Sequence, residues 1–292
     1  MHPAPSVIIF TVFSGLGFGM LFWLGLGQPL VVSWTAFFFY LIAYVFAVGG
    51  LLSSMFHLGH PERFLKAFTQ WKTSWLSREG VLSVATLIVM ALYAAAEVFL
   101  YTQYAVLGLI GALLALGTVF GTSMIYAQLK TVPRWNHWTT PVMFMVLSLG
   151  GGALMVGEIW TAIPLLVIAG LAQLAHWFLG DGQFKAAGST MESATQLGSI
   201  GKVRAFEPPH TGTNYLLREM VHQIGRKHAQ TLRILAIVLA VVVPVLLLLV
   251  FSSLGHWVAV PAVLSHVAGV LMSRWLFFAQ AEHVVGLYYG QR

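Results

Sequence analysis

The sequence predicts an all-α, polytopic membrane protein built as a bundle of eight transmembrane helices. Three observations carry that reading. The 292-residue chain is 58% hydrophobic and only 8% charged, whereas a soluble domain carries about 25% charged residues. Its mean hydropathy is +0.83. The apolar residues form continuous runs of about 20 residues, the length a helix needs to cross a bilayer, instead of the alternation of a barrel.

The runs lie at about 6–27, 34–56, 80–100, 104–127, 141–160, 162–180, 231–254 and 258–280. The first follows Met1-His2-Pro3-Ala4, which has no basic n-region, and is read as a span, not a cleaved signal. Gly15 and Gly19 in the first run, and Gly117 and Gly121 in the fourth, have the small-xxx-small spacing of closely packed helices. Gly150, Gly151 and Gly152 read as a weak point in the fifth run, and Pro244 as a kink in the seventh. The one long polar stretch, 181–230, is at the bottom of the domain size range. It is read as a cytoplasmic loop, so residues 1–292 form a single integral membrane domain. From Thr213 onward that loop has Leu216, Met220 and Ile224 four apart, an amphipathic helix that lies on the membrane interface or receives a docked partner.

The connections after spans 1, 3, 5 and 7 carry no Lys or Arg. All 15 basic residues fall on the other side of the predicted bundle. Lys/Arg-rich short loops stay in the cytoplasm, so both termini are placed inside, in the bacterial inner membrane. Trp71, Trp75, Trp135 and Trp138 near the basic side, and Trp34, Trp160 and Trp257 near the bare side, read as interfacial belts. The basic rim suits anionic lipid or an acidic protein surface. Arg134, Trp135, Arg204 and Arg218 are its candidate partner-docking residues; no nucleic-acid partner is expected.

Ionisable groups inside apolar runs are costly and point to function. His57 ends the second run, where Gly59 and Pro61 stop the helix. Glu79 begins the third. Arg274 lies just inside the end of the eighth. Each has an ordinary reading: His57 as a helix cap, Glu79 as a partner of the helix dipole, Arg274 as a snorkelling cation. Together, a base, an acid and a cation at one depth suit quinol chemistry, which exchanges two protons with two electrons. Glu97 and Glu158, near the bare ends of their runs, read as solvated at the interface, with a proton path as the alternative. His176 and His266 raise haem ligation in a cytochrome b, but no repeated His spacing supports it. The chain has no cysteine, so it offers no thiolates for an iron–sulfur cluster, and no metal site is expected. A secondary transporter is a further alternative, although no internal repeat is visible and the charges cluster at one face.

The stretch "HLGHPERFLKAFTQWKTSWLSREG" resembles a signature of the membrane anchor subunits of dimethyl sulfoxide reductase-type molybdoenzymes, through His57-Leu58-Gly59, Pro61, Arg63, Leu76-Ser77 and Glu79. "YAQLKTVPRWNHWTTPVMF" is similar to the same family through Tyr126, Thr131-Val132-Pro133, Trp135, Trp138, Thr140-Pro141 and Phe144. "AGVLMSRWLFF" matches its last span through Gly269, Arg274 and Phe277, while Val270 stands where some relatives have an acidic residue. The resemblance implies an anchor that binds ubiquinone or menaquinone and holds no haem. It also implies a partner subunit with iron–sulfur clusters and a catalytic partner with a molybdopterin cofactor. It makes His57 the leading quinone ligand, with Glu79, Arg274 and Arg63 beside it. The cytoplasmic basic face, and the loop 181–230, are similar to sulfite-oxidising relatives that reduce quinone; a quinol-oxidising anchor is the alternative.

Overall fold

The computed structural model describes residues 1–56, 59–207, 210–221 and 228–290. Regular structure among these residues is entirely helical. Eight apolar helices dominate: α1 (Pro5–Gly25), α2 (Ser33–Met55), α3 (Trp75–Phe99), α4 (Ala105–Ala127), α5 (Thr139–Met155), α6 (Ile159–Gly180), α7 (Ala229–Val250) and α8 (Ala259–Ala279). Seven are long and apolar enough to cross a membrane; α5, with 17 residues, is shorter. It rises about 25 Å against a hydrocarbon core of about 30 Å. Helix α5 still runs antiparallel to α6 along its length, because Thr139 meets His176 at one end and Gly150 meets Leu165 towards the other. The run read as 141–160 is divided by Gly157, whose φ of 78° favours glycine. Val156 continues the apolar pattern across that turn, so hydropathy alone does not reveal it.

Helix α1 is the most buried of the seven, and missing side chains let it be. Gly17 lies against the backbone of Ala43 and Ala47 in α2. Gly19 lies against Ser148 and Gly152 in α5, where a Cβ would overlap the Ser148 carbonyl. The expected weak point at Gly150–Gly152 is therefore a packing surface in an unbroken helix.

Helix α7 carries a π-helical turn at Val238–Val242, just before Pro244. Proline has no N–H for the carbonyl four residues earlier. That carbonyl belongs to Ala240, and it accepts a hydrogen bond from His266 Nδ1 of α8 at 2.7 Å. One residue along, Leu239 takes the Ser265 hydroxyl at 2.8 Å.

The basic loops gather at one end of the bundle. The Met1 amine donates to the Ala281 carbonyl at 2.8 Å, and His2 N–H to Glu219 O at 2.7 Å. Val284 N–H reaches Thr131 O at 2.9 Å, and Asn214 Nδ2 reaches the Tyr289 hydroxyl at 3.0 Å. Asp181, just past α6, accepts from both Arg134 and Arg233 at 2.6 Å. Burial would raise its carboxyl, but the hydrogen bonds and charges of Arg233 and Arg134 outweigh it and hold the group down to about 2. At the other end, Glu97 is not solvated. It is buried and accepts from Tyr40 at 2.7 Å and Gln103 at 2.8 Å.

Among the described residues of the amphipathic segment, helix forms over Tyr215–Glu219, started by Asn214 accepting from Leu217 N–H. Ile224 lies outside the described residues. The turn folds back on the basic end of its own bundle.

Candidate site beneath the basic rim

A cleft of about 300 Å³ opens at the basic end. The start of α1 (His2, Ala4, Val7) and the end of α4 (Ile125, Tyr126, Leu129) form its walls, with Trp135 and Phe278 behind and Tyr215, Glu219 and Met220 above. Tyr126 is the shared wall between this cleft and the charged interior. It lies within electrostatic reach of both Glu79 and Arg274.

Arg274 is buried and planar against rings: its guanidinium carbon sits 3.5 Å from the centre of Phe144 and 5.9 Å from that of Phe277. Such stacking offers a cation partial compensation for lost water. Its Nε and one terminal nitrogen have no partner among the described residues. Thr11, Ser148 and Arg274 share a void of about 10 Å³, near the lower limit for one water. Glu79, also buried, accepts from the Thr122 hydroxyl. Thr118, Thr122 and Tyr126 lie four apart on α4; Thr118 meets Thr86 of α3 at 3.1 Å and Thr122 meets Glu79, while the Tyr126 ring packs on Phe144 of α5 and Phe277 of α8. Glu79 and Arg274 form no ion pair with each other among the described residues, and both lie within electrostatic reach of Tyr126.

The predicted site is thus brought together in part. Glu79 and Arg274 share the surroundings of Tyr126. His57 lies outside the described residues. Arg63 stands apart, exposed on the 3₁₀ turn Pro61–Phe68 with its Nε 3.8 Å from Glu62. Of the expected docking residues, Arg204 and Arg218 are exposed. Arg134 is mostly buried in its pairing with Asp181. Trp135 is 2% exposed, stacked on Phe277 at 5.1 Å, and its N–H donates to the Phe277 carbonyl, so within this chain it packs in the core at the back of the cleft.

Sequence reading missed Tyr126 and Phe144 as site residues. The four-residue spacing of Thr118, Thr122 and Tyr126, on the helix that faces Glu79, was the available signal. His266 is explained by Pro244. His176 bonds Thr139 at 3.0 Å, and among the described residues no three His, Cys, Asp or Glu gather to hold a metal.

The family model for the DMSO reductase anchor subunit (DmsC) matches residues 1–290. A sulfite dehydrogenase subunit of Allochromatium vinosum is 30% identical over 326 aligned residues, covering 99% of this chain and 99% of that protein. No solved structure matches the chain.

Proposed function

The chain belongs to the family of DMSO reductase anchor subunits, and from this we propose that it exchanges electrons between a partner iron–sulfur subunit and membrane quinone. The observation that carries the reading is the cleft walled by Tyr126, with Arg274 and Glu79 buried behind it and unpaired with each other. Its volume is at the small end for a ligand pocket, enough for a ring head group.

Reducing a quinone takes two electrons and two protons. The electrons come from the partner's clusters, and the molybdopterin belongs to the catalytic partner. This chain supplies position and charge. Arg274, acting through Tyr126, favours the negative charge that gathers on a quinone carbonyl as electrons arrive. Glu79, within electrostatic reach of Tyr126, is the proposed proton-exchanging group inside the bundle. His57 stays a proposed ligand: Ser53 of α2 donates to Ser6 O of α1 at 3.0 Å, so α2 ends beside the α1 residues that line the cleft. Arg63, exposed on its 3₁₀ turn, stays a proposed quinone-binding residue. The chain is not catalytic alone. The likeness to a sulfite dehydrogenase subunit supports sulfite as the partner's electron donor, and the basic end supports a cytoplasmic placement of the partners.

The test is the purified complex assayed in two ways. In Glu79→Gln, sulfite oxidation with a soluble dye should persist, while sulfite-driven quinone reduction should fall about a hundredfold. Equal loss in both assays would show an assembly defect instead. Unchanged quinone reduction would remove Glu79 from the site. Sulfoxide-driven quinol oxidation without sulfite activity would reverse the proposed electron direction.

A further inference from the structure

We propose that Met90 is a proton barrier in the middle of the bundle, set between two buried carboxyl groups that serve opposite sides of the membrane. Along α3, Glu79, Ser83, Thr86, Met90, Tyr93 and Glu97 recur at steps of four and three and form one face. Every one of them is buried. From Glu79 to Glu97 the face runs about 27 Å, at 1.5 Å per residue, which nearly spans a hydrocarbon core of about 30 Å. Met90 is its one member without a hydroxyl or a carboxyl group.

Each end of the face reaches its own side. Glu79 accepts from Thr122 and lies within electrostatic reach of Tyr126, which walls the cleft at the basic end. Glu97 accepts from Tyr40 and from the half-buried Gln103 at the bare end, with Tyr93 in reach of the same carboxyl group. A seam that only packed helices together would need no carboxyl group at either end, and an ionisable group inside a span is costly.

The polar lining stops between them. In the basic half α4 answers α3 with hydroxyls, Thr122 at Glu79 and Thr118 at Thr86. Beyond Thr118 it turns to small residues: Ala115 is fully buried, Gly111 lies against the Met90 thioether, and Gly108 lies against the Tyr93 ring. A Cβ on Gly111 would overlap Met90 Sδ, so the sulfur occupies the space that a bridging water would need. Thr86 and Tyr93 are about 10 Å apart along the helix, against a hydrogen-bond reach of about 3 Å. A proton on Glu79 therefore exchanges with the basic side, and one on Glu97 with the bare side. It follows that the protons Glu79 hands to quinone come from the basic side; that consequence rests on the quinone reading, whereas the barrier does not.

The test reads proton leak and needs no quinone. The full-length chain, purified with its accompanying subunits, is placed in phosphatidylcholine vesicles that enclose a pH-sensitive dye, and a potassium diffusion potential drives protons inward. Wild type and Met90→Leu should be equally tight. Met90→Gln keeps the length of the side chain and adds a donor and an acceptor; it should leak about tenfold faster, a barrier lower by about 1.4 kcal/mol. Adding Glu97→Gln should return that leak to the wild-type rate. Met90→Ser opens the same gap by removing bulk, and takes the place of the glutamine variant if that one does not assemble. A folded Met90→Gln or Met90→Ser as tight as wild type would overturn the proposal. So would a wild type that already leaks at the variant's rate, or a leak that persists without Glu97, which marks loosened packing instead of a route.

Discussion

Arg274 shows what a buried cation demands of its surroundings. Among the described residues no carboxylate pairs with it; Phe144 and Phe277 take that place. Arg274→Lys keeps the charge and loses the flat face that stacks. A desolvated cation–π contact is worth about 2 kcal/mol, so the variant should lose about that much stability, read as a lower melting temperature in detergent. Retained stability would mean that the rings are packing and not a charge partner. The sequence revealed the depth of Arg274 and Glu79 because both sit at counted distances from span ends. It did not reveal which side of its helix each one faces. Glu97 makes the same point: its distance from the span end suggested water, and Tyr40 and Gln103 took water's place.

At the scale of the helix, two local defects are matched by neighbours. Pro244 was legible as a disturbance in α7, but the donor that answers it comes from α8, which no local pattern reveals. His266→Phe should cost about 1–3 kcal/mol by stranding the Ala240 carbonyl. Pro244→Ala restores a local N–H, so the double variant should recover part of that loss; a simple sum of the two effects would separate them. Asp181 makes a second joint, holding the loop before α5 to the start of α7. Its folded carboxyl is depressed to about 2, from about 3.9 in an unfolded chain. The joint's contribution is therefore full above about pH 4 and is lost as pH falls towards 2. Asp181→Asn should narrow the stability gap between wild type and variant across that window. A gap that stays constant from pH 5 to 2.5 would show that the carboxylate's charge is not what holds the joint.

At the scale of the molecule, the charge asymmetry that the sequence displayed is a property of one end of the folded bundle. The N-terminal amine, the loop before α5, residues 214–219 and residues 281–289 bond to one another there. The other end has Glu97 and Gln103 locked together under Tyr40. The all-helical class was legible because every span must satisfy its own backbone in lipid. The short α5 was not, because apolar residues continue past its last turn. The proposed orientation rests on the positive-inside rule, and the absence of cysteine makes it directly measurable, since any thiol introduced is the only one in this chain. Thr102 and Ser199 are both exposed, at the bare end and in the loop beyond α6. In intact spheroplasts, a membrane-impermeant maleimide should label Thr102→Cys at once and Ser199→Cys only after lysis. The opposite order would put the basic rim outside, and any partner docked on it would then take its substrate from the periplasm.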